Sequence, residues 1–225
     1  MELIYKGKTK DVYKNDEGNI VMKFKDDVTG VDGVFDPGAN QVALTIEGVG
    51  KEDLRVSKFF FEKLNEKNIP THYISSNVEE NAMTVREAKV FGKGLEVICR
   101  YKAVGSFIRR YGLYAKEGMD LPGYVEITLK DDERNDPLIT KDALIILDII
   151  NEKEYEEIIQ LTKAISEVIR EELAEKDLTL FDIKLEFGKL DNGEIVLIDE
   201  LSGGNMRVYK NETYIEPMKI GEFLF

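Results

Sequence analysis

Residues 181–207, FDIKLEFGKLDNGEIVLIDELSGGNMR, say most about how this chain folds and what it holds. Two apolar-rich runs flank Asn192-Gly193, the pair favoured in two-residue type I′ turns, so the stretch is predicted to be a β-hairpin. On its first strand Asp182, Lys184 and Glu186 alternate with Ile183, Leu185 and Phe187, which puts the three charges on one face. With a two-residue loop Asp191 pairs with Glu194, and counting outward places Glu186 opposite Asp199. Facing carboxylates repel one another in a sheet. A cation between them removes the repulsion, and oxygen-only ligands suit Mg²⁺ with nucleotide phosphates completing its shell. The face reads either as a metal–nucleotide platform with a lysine beside it or as a solvated strand face that happens to be charged. A one-residue bulge near Gly188 would shift the count.

The bulk numbers narrow the class. A chain of 225 residues makes one large domain or two small ones with ample core. Apolar content of 43% with 33% charged residues belongs to a folded globular protein, not a disordered one. No apolar run reaches the length of about 18 residues that spans a bilayer, and the start MELIYKGKTK lacks a signal-peptide core. One cysteine, Cys99 in LEVICRY, precludes an internal disulfide and reads as a buried, inert thiol in a reducing cytoplasm. The net charge of −13 argues against nucleic acid or an anionic membrane as partner, since both need a basic footprint. Small anions can still be held by local lysines and arginines.

The order of elements suggests an α+β fold with a β-rich N-terminal half. Residues 2–25 read as two strands, LIYKGKTKDVY and IVMKFK, around a turn at 15–19. Residues 26–50, rich in glycine, read as a long loop of the kind that is often functional. A helix is expected over 51–67, then strands at 71–75, 83–89 and 95–101, a short helix from Ser106 to about Gly112, and a strand in YVEITLK after Pro122. Thr140 is placed to cap a helix over 141–147, and a long amphipathic helix runs over about 152–175. Two lobes with a boundary near 92 would fit, with residues 1–92 before it and 93–225 after it.

Several clusters can carry chemistry, each with a plainer alternative. In Lys6-Gly7-Lys8-Thr9-Lys10 the glycine permits close backbone approach and the lysines, alternating along the strand, suit ATP phosphates; a lysine-rich surface turn has the same composition. It is not a Walker A loop, for the upstream glycine and following helix are missing. In Arg100-Tyr101-Lys102-Ala103-Val104-Gly105-Ser106 an arginine ends a strand and Gly-Ser opens a helix, a phosphate site or an ordinary Ser cap. Acids at Asp131, Asp132, Glu133 and Asp136, and at Asp26, Asp27, Asp32 and Asp36, are metal or amine sites or solvated loops. His72, the single histidine, cannot build a His-based metal site and reads as structural. Arg207 lies where it can return to the hairpin face. A nucleotide-phosphate loop, a paired-carboxylate face and a second phosphate pocket together imply ATP plus a phosphorylated second substrate.

The segments YKGKTKDVY, FKDDVTGVDG, SKFFFEKLNEKNIPTHYI, VREAKVFGKGLEVICRYKAVGSFIRRYG, EITLKDDERNDPLIT and FDIKLEFGKLDNGEIVLIDELSGGNMRVY, in this order, resemble the SAICAR synthetase (phosphoribosylaminoimidazole-succinocarboxamide synthase) family. The resemblance implies a two-lobed α+β fold with a kinase-like, ATP-grasp-like nucleotide lobe. It implies a ligase of purine biosynthesis joining the ribotide CAIR to L-aspartate with ATP and Mg²⁺, as a homodimer or larger homo-oligomer. By the same resemblance Lys8, Thr9 and Lys10 cover the ATP phosphates, Lys89 to Glu96 form the adenine connector, and Glu186 and Asp199 hold Mg²⁺-ATP. Arg100, Ser106 and Arg207 match positions that hold the ribotide phosphate, Asp182 and Lys184 face the imidazole ribotide, and Asp136 matches an acidic site residue.

The chain departs from the family pattern at Tyr101 and Val104, in Ser202-Gly203-Gly204 where Ser-Pro-Asp is usual, and in a shorter loop at 33–49. These departures bear on the aspartate and ribotide contacts. Two rival functions are a small-molecule kinase that needs no aspartate and a nucleotide-sensing protein that releases no phosphate; RNA binding stands behind both.

Overall fold

A computed structural model describes residues 1–31, 34–35 and 42–225. The N-terminal segment makes three strands rather than two, β1 (Glu2–Lys6), β2 (Lys10–Lys14) and β3 (Ile20–Phe24), paired antiparallel in sequence. The chain reverses at Gly7–Thr9, where Gly7 N donates to Lys10 O at 2.9 Å. Lys6, Lys8 and Lys10 therefore do not alternate along one strand: Lys6 ends β1, Lys8 sits in the turn and Lys10 opens β2. A Cβ on Gly7 would lie 2.5 Å from Lys10 O, so the tight turn requires glycine.

The stretch expected to be a long loop also carries strands: β4 (Asp27–Val31), β5 (Val34–Phe35) and β6 (Val42–Thr45) form a small sheet in the order β5-β4-β6. Asp32 and Asp36 lie outside the described residues. The helix α1 (Val49–Glu66) follows, its Leu54, Phe60, Phe61 and Leu64 fully buried, each contributing roughly 2 kcal/mol over an exposed position. The strand expected over 83–89 divides, because its two ends join different sheets. After β7 (Tyr73–Asn77), β8 (Ala82–Val85) completes the first sheet, β1-β2-β3-β8-β7, whereas β9 (Lys89–Val90) pairs in the second.

That second sheet bears the charged face. Its elements are β10 (Leu95–Lys102), then, past α2 (Ser106–Tyr111), β11 (Asp120–Leu129), and, past α3 (Lys141–Ile146) and α4 (Glu152–Ala174), β12 (Thr179–Lys189), β13 (Ile195–Ile198), β14 (Met206–Lys210) and β15 (Thr213–Ile215). The order is β11-β10-β12-β14-β15, with β13 and β9 pairing the far half of β12. Thr140 caps α3 as its sequence position suggests, and Asn151 with Glu154 makes a capping box for α4. The apolar stripe of α4 packs on β12 and β10, burying Ile183, Leu185 and Phe187, so the alternating charged residues face the other way. The C-terminal segment ends in α5 (Ile220–Leu224), which packs against α1.

The hairpin forms one residue out of the expected register. Its loop has three residues, Asp191-Asn192-Gly193: Leu190 N donates to Glu194 O at 2.9 Å, and Gly193, at φ +86°, takes the left-handed place. Glu186 therefore pairs with Ile198, and Asp199 lies beyond the end of β13. The acid directly opposite Glu186 is Glu96, on β10 at the other side of β12.

Candidate active site

Cross-strand register assembles the face. Glu96, Ile98 and Arg100 of β10 stand opposite Glu186, Lys184 and Asp182 of β12, while Thr128 and Glu126 of β11 flank Glu96 and Ile98, and Arg207 of β14 faces Asp182. Cations and anions alternate across this lattice, which is what keeps the like-charged Glu96–Glu186 pair tolerable. Lys184 Nζ reaches Glu96 Oε1 at 2.8 Å, Thr128 Oγ1 donates to Glu96 Oε2 at 3.0 Å, and Lys130 Nζ reaches Glu186 Oε1 at 2.6 Å. Burial alone would lower the Lys184 pKa, but Glu96 more than offsets it and the net direction is upward. Lys184 is thus a persistent cation, suited to steadying an anion and unsuited to taking a proton.

Two cavities open on this face. The larger, about 950 Å³, is walled by the Gly7–Lys10 turn, by Gly92–Glu96, by Lys130–Arg134 and by Glu186 and Asp199. The smaller, about 420 Å³, is lined by Arg100, Ser106, Arg109, Arg110, Arg207, Asp182 and Asp136 among others. Glu96, Lys184, Gly204 and Asn205 line both, so the cavities meet at the Lys184–Glu96 pair.

At the larger cavity Lys25 Nζ donates to the carbonyls of Gly7 and Lys8 at 3.1 Å each and clamps the turn from behind. Lys8 Nζ meets Asp132 Oδ2 at 2.6 Å, and Lys10 Nζ meets Asp199 Oδ1 at 2.6 Å and also contacts Glu200. Thr9 lines the wall beside them. Asp199 reaches the site through a left-handed turn, φ +65°, immediately after β13, and lines the same cavity as Glu186 despite the slipped register. Burial and the charge of Asp199 push the Glu186 carboxyl upward. For Asp199 burial pushes upward too, but Lys10 and Lys130 prevail and hold it below its ordinary value. The pair thus prefers to place its negative charge on Asp199.

Among the described residues no group of three or more His, Cys, Asp or Glu is placed to hold a metal unaided. Two carboxylates lining one cavity nonetheless fit a hard cation that takes its remaining ligands from phosphate and water. Lys89 stands apart: it is exposed, lies near Asp191 at 3.6 Å and lines neither cavity, whereas Gly92, Lys93, Gly94, Leu95 and Glu96 line the larger one.

At the smaller cavity the Arg100 guanidinium, 2% exposed, is fully engaged. Nε and Nη2 donate to Glu126 Oε1 at 3.0 and 2.7 Å, Nη1 to Asp182 Oδ2 at 2.5 Å, and Nη2 to Ser106 Oγ at 2.8 Å. Asp182 also accepts from Arg207 Nη1 at 2.7 Å, and Arg110 meets Glu126. Gly105, at φ +56°, opens α2, and a Cβ there would lie 2.7 Å from Arg207 Nη2. The result is a guanidinium-rich wall with Ser106 at its centre, chemistry suited to a phosphate monoester. Asp136, at φ +45°, closes the opposite side, its Oδ1 accepting from Asp131 N at 2.8 Å. Of the departures from the family pattern, Tyr101 points away, its hydroxyl 3.4 Å from Glu167 on α4, while Gly203 lies so close to Pro217 that a Cβ would meet its carbonyl at 2.4 Å.

Several residues of the site escaped the sequence reading. Glu126, Thr128 and Lys130 alternate in YVEITLK, and period-2 reasoning would have put them on the charged face. Asp53 on α1 lines the larger cavity and bonds Ser202; burial raises its pKa to about 7 against the opposing charge of Lys10. Nothing in the local sequence signals that contact.

A family model described as SAICAR synthetase matches residues 3–221. A phosphoribosylaminoimidazole-succinocarboxamide synthase of Clostridium tetani is 60% identical over 225 residues, covering 100% of this chain and 99% of that protein. Among solved structures, a SAICAR synthetase in complex with ADP superposes with a TM-score of 0.84 at 31% identity, covering 96% of this chain and 89% of that one. A SAICAR synthetase of Pyrococcus horikoshii does so with a TM-score of 0.81 at 29% identity, covering 94% and 89%. With the family model spanning nearly the whole chain and the full-length likeness beside it, the chain belongs to the SAICAR synthetase family.

Proposed function

We propose that this chain is the ATP-dependent ligase that condenses CAIR with L-aspartate to SAICAR, releasing ADP and phosphate, in purine biosynthesis. The observation that carries this reading is the meeting of a nucleotide-sized cavity and a guanidinium-walled cavity at Lys184 and Glu96. In this reading Lys8, Thr9 and Lys10 lie along the ATP phosphates, and the Gly92–Glu96 connector holds the adenine. Glu186 and Asp199 would hold Mg²⁺, which when bound neutralises phosphate charge. Arg100, Ser106 and Arg207 take the ribotide phosphate. Asp182 orients Arg100 and Arg207 rather than meeting the substrate alone, since it accepts from both.

The chemistry follows from that placement. A carboxylate oxygen of CAIR attacks the γ-phosphorus, the bond to ADP breaks, and an acyl phosphate forms. The aspartate amine attacks the acyl carbon, phosphate leaves with the former carboxylate oxygen, and the amine proton passes to phosphate or water. Lys184 steadies the attacking carboxylate and Lys10 and Lys130 offset the transferred charge, so catalysis is positioning and electrostatics.

Residues 1–92 then serve as the nucleotide lobe and 93–225 as the lobe carrying the ribotide pocket and the hairpin, in a cytoplasmic homodimer. No helix among the described residues is long and apolar enough to cross a membrane. The test is phosphate release from Mg²⁺-ATP with CAIR and L-aspartate omitted in turn. Release that needs both supports the ligase; release with CAIR alone favours a kinase, and binding without release favours a sensor.

A further inference from the structure

The Glu186–Asp199 pair depends on a backbone conformation, not on strand register. Asp199 takes φ +65° one residue after β13 ends, a region that non-glycine residues seldom occupy without support from their surroundings. The turn is held at two atoms: Lys10 Nζ meets the Asp199 carboxylate at 2.6 Å, and His72 Nε2 lies 3.0 Å from the Asp199 carbonyl oxygen. A carbonyl only accepts, so Nε2 carries the proton and the ring is the Nε2–H tautomer. The ring is 4% exposed and packs on Phe61, ring centres 5.6 Å apart. Its backbone is pinned on both sides: His72 N donates to Leu197 O at 2.8 Å, and Arg86 N donates to His72 O at 2.7 Å. The donor is therefore fixed to the same stretch of chain whose end it restrains.

We propose that His72 is a positioning residue of the metal–nucleotide site, its Nε2–H bond holding the left-handed turn that brings the Asp199 carboxylate beside Glu186. This rests on Glu186 and Asp199 holding Mg²⁺ with the nucleotide. A ring that merely filled the core would affect stability alone; a positioning ring also sets how strongly metal tightens the nucleotide.

The experiment is calorimetric titration of the full chain with ADP, with and without Mg²⁺, which gives the ratio of the two Kd values. In His72→Leu the ratio is expected to fall about five- to tenfold, the worth of one lost buried hydrogen bond, with the metal-free Kd unchanged. His72→Gln keeps a donor and is expected to recover most of the ratio. A folded His72→Leu with the parental ratio overturns the proposal. Asp199→Asn separates the two levels, because asparagine tolerates the turn but loses the charge. If that variant keeps the parental ratio, the platform reading falls and this inference with it; if it loses the ratio while His72→Leu keeps it, only this inference falls. Should His72→Leu not fold, His72→Phe, which fills the space without a donor, is titrated in its place: a fallen ratio supports the proposal, and the parental ratio overturns it.

Discussion

Lys10 Nζ lies 2.6 Å from Asp199 Oδ1, joining residues 189 apart in sequence across the mouth of the larger cavity. Lys8 with Asp132, Lys130 with Glu186 and Lys184 with Glu96 repeat the pattern. Lys8, Lys10 and Lys130, which in the proposed reading meet the ATP phosphates, and Lys184, which meets the CAIR carboxylate, are each held ready oriented by an acid. In that reading the binding of ATP is an exchange of partners, with phosphates replacing carboxylates on the lysines, and little side-chain entropy is lost. Lys10→Ala removes one charge-assisted contact of about 1.5–3 kcal/mol, so the KM for ATP should rise roughly ten- to hundredfold with the KM for CAIR unchanged. Steady-state kinetics with each substrate varied would show it, and an equal rise in both constants would count against the assignment.

Glu186→Ala should leave the fold intact and cut kcat by about a hundredfold or more, as loss of a group that organises phosphoryl charge does. Circular dichroism beside the phosphate assay separates the two effects. Near-parental turnover would remove Glu186 from the site.

Gly105→Ala tests the smaller cavity. The backbone there is at φ +56° and the new Cβ would meet Arg207 Nη2 at 2.7 Å, so the guanidinium must move. The KM for CAIR should rise by about tenfold or more while the KM for ATP stays near its parental value. An unchanged CAIR constant would mean Arg207 does not hold the ribotide.

Asp53 makes stability depend on pH in a direction opposite to that of an ordinary ion-paired carboxylate. Burial raises its folded pKa from 3.8 to about 7. The folded chain thus keeps a proton that the unfolded chain releases, and the stability this brings is complete below 3.8 and lost as pH rises to about 7. Asp53→Asn, with no proton to lose, should match the parent Tm near about pH 4 and exceed it at about pH 8. A lower Tm than the parent at the higher pH would contradict this.

Much of the fold was legible because period and capping are local. The stripe of α4, the Thr140 cap, the Gly105-Ser106 helix start and the charged face of β12 all follow from neighbours within a few residues. The hairpin register was not, because Asn192-Gly193 serves a three-residue loop as well as a two-residue one, and only Leu190 N meeting Glu194 O distinguishes them. Glu186 and Asp199 were paired on a count that the structure overturns, yet both line the larger cavity, Asp199 through a turn that no local pattern announces. The three strands within 26–50 were missed since glycine-rich composition masks short strands. Arg100 and Ser106, named together from the sequence, are hydrogen-bonded, but that Arg100 is held by Glu126 and Asp182, on other strands, emerges only from the sheet order.

The most direct measurement follows an oxygen atom. CAIR labelled with ¹⁸O in its carboxylate is turned over with Mg²⁺-ATP and L-aspartate, and the released phosphate is weighed by mass spectrometry. Transfer of the γ-phosphoryl group to the carboxylate at the Lys184–Glu96 junction predicts one labelled oxygen in each phosphate. Phosphate without label, formed at the rate of SAICAR, would contradict the account.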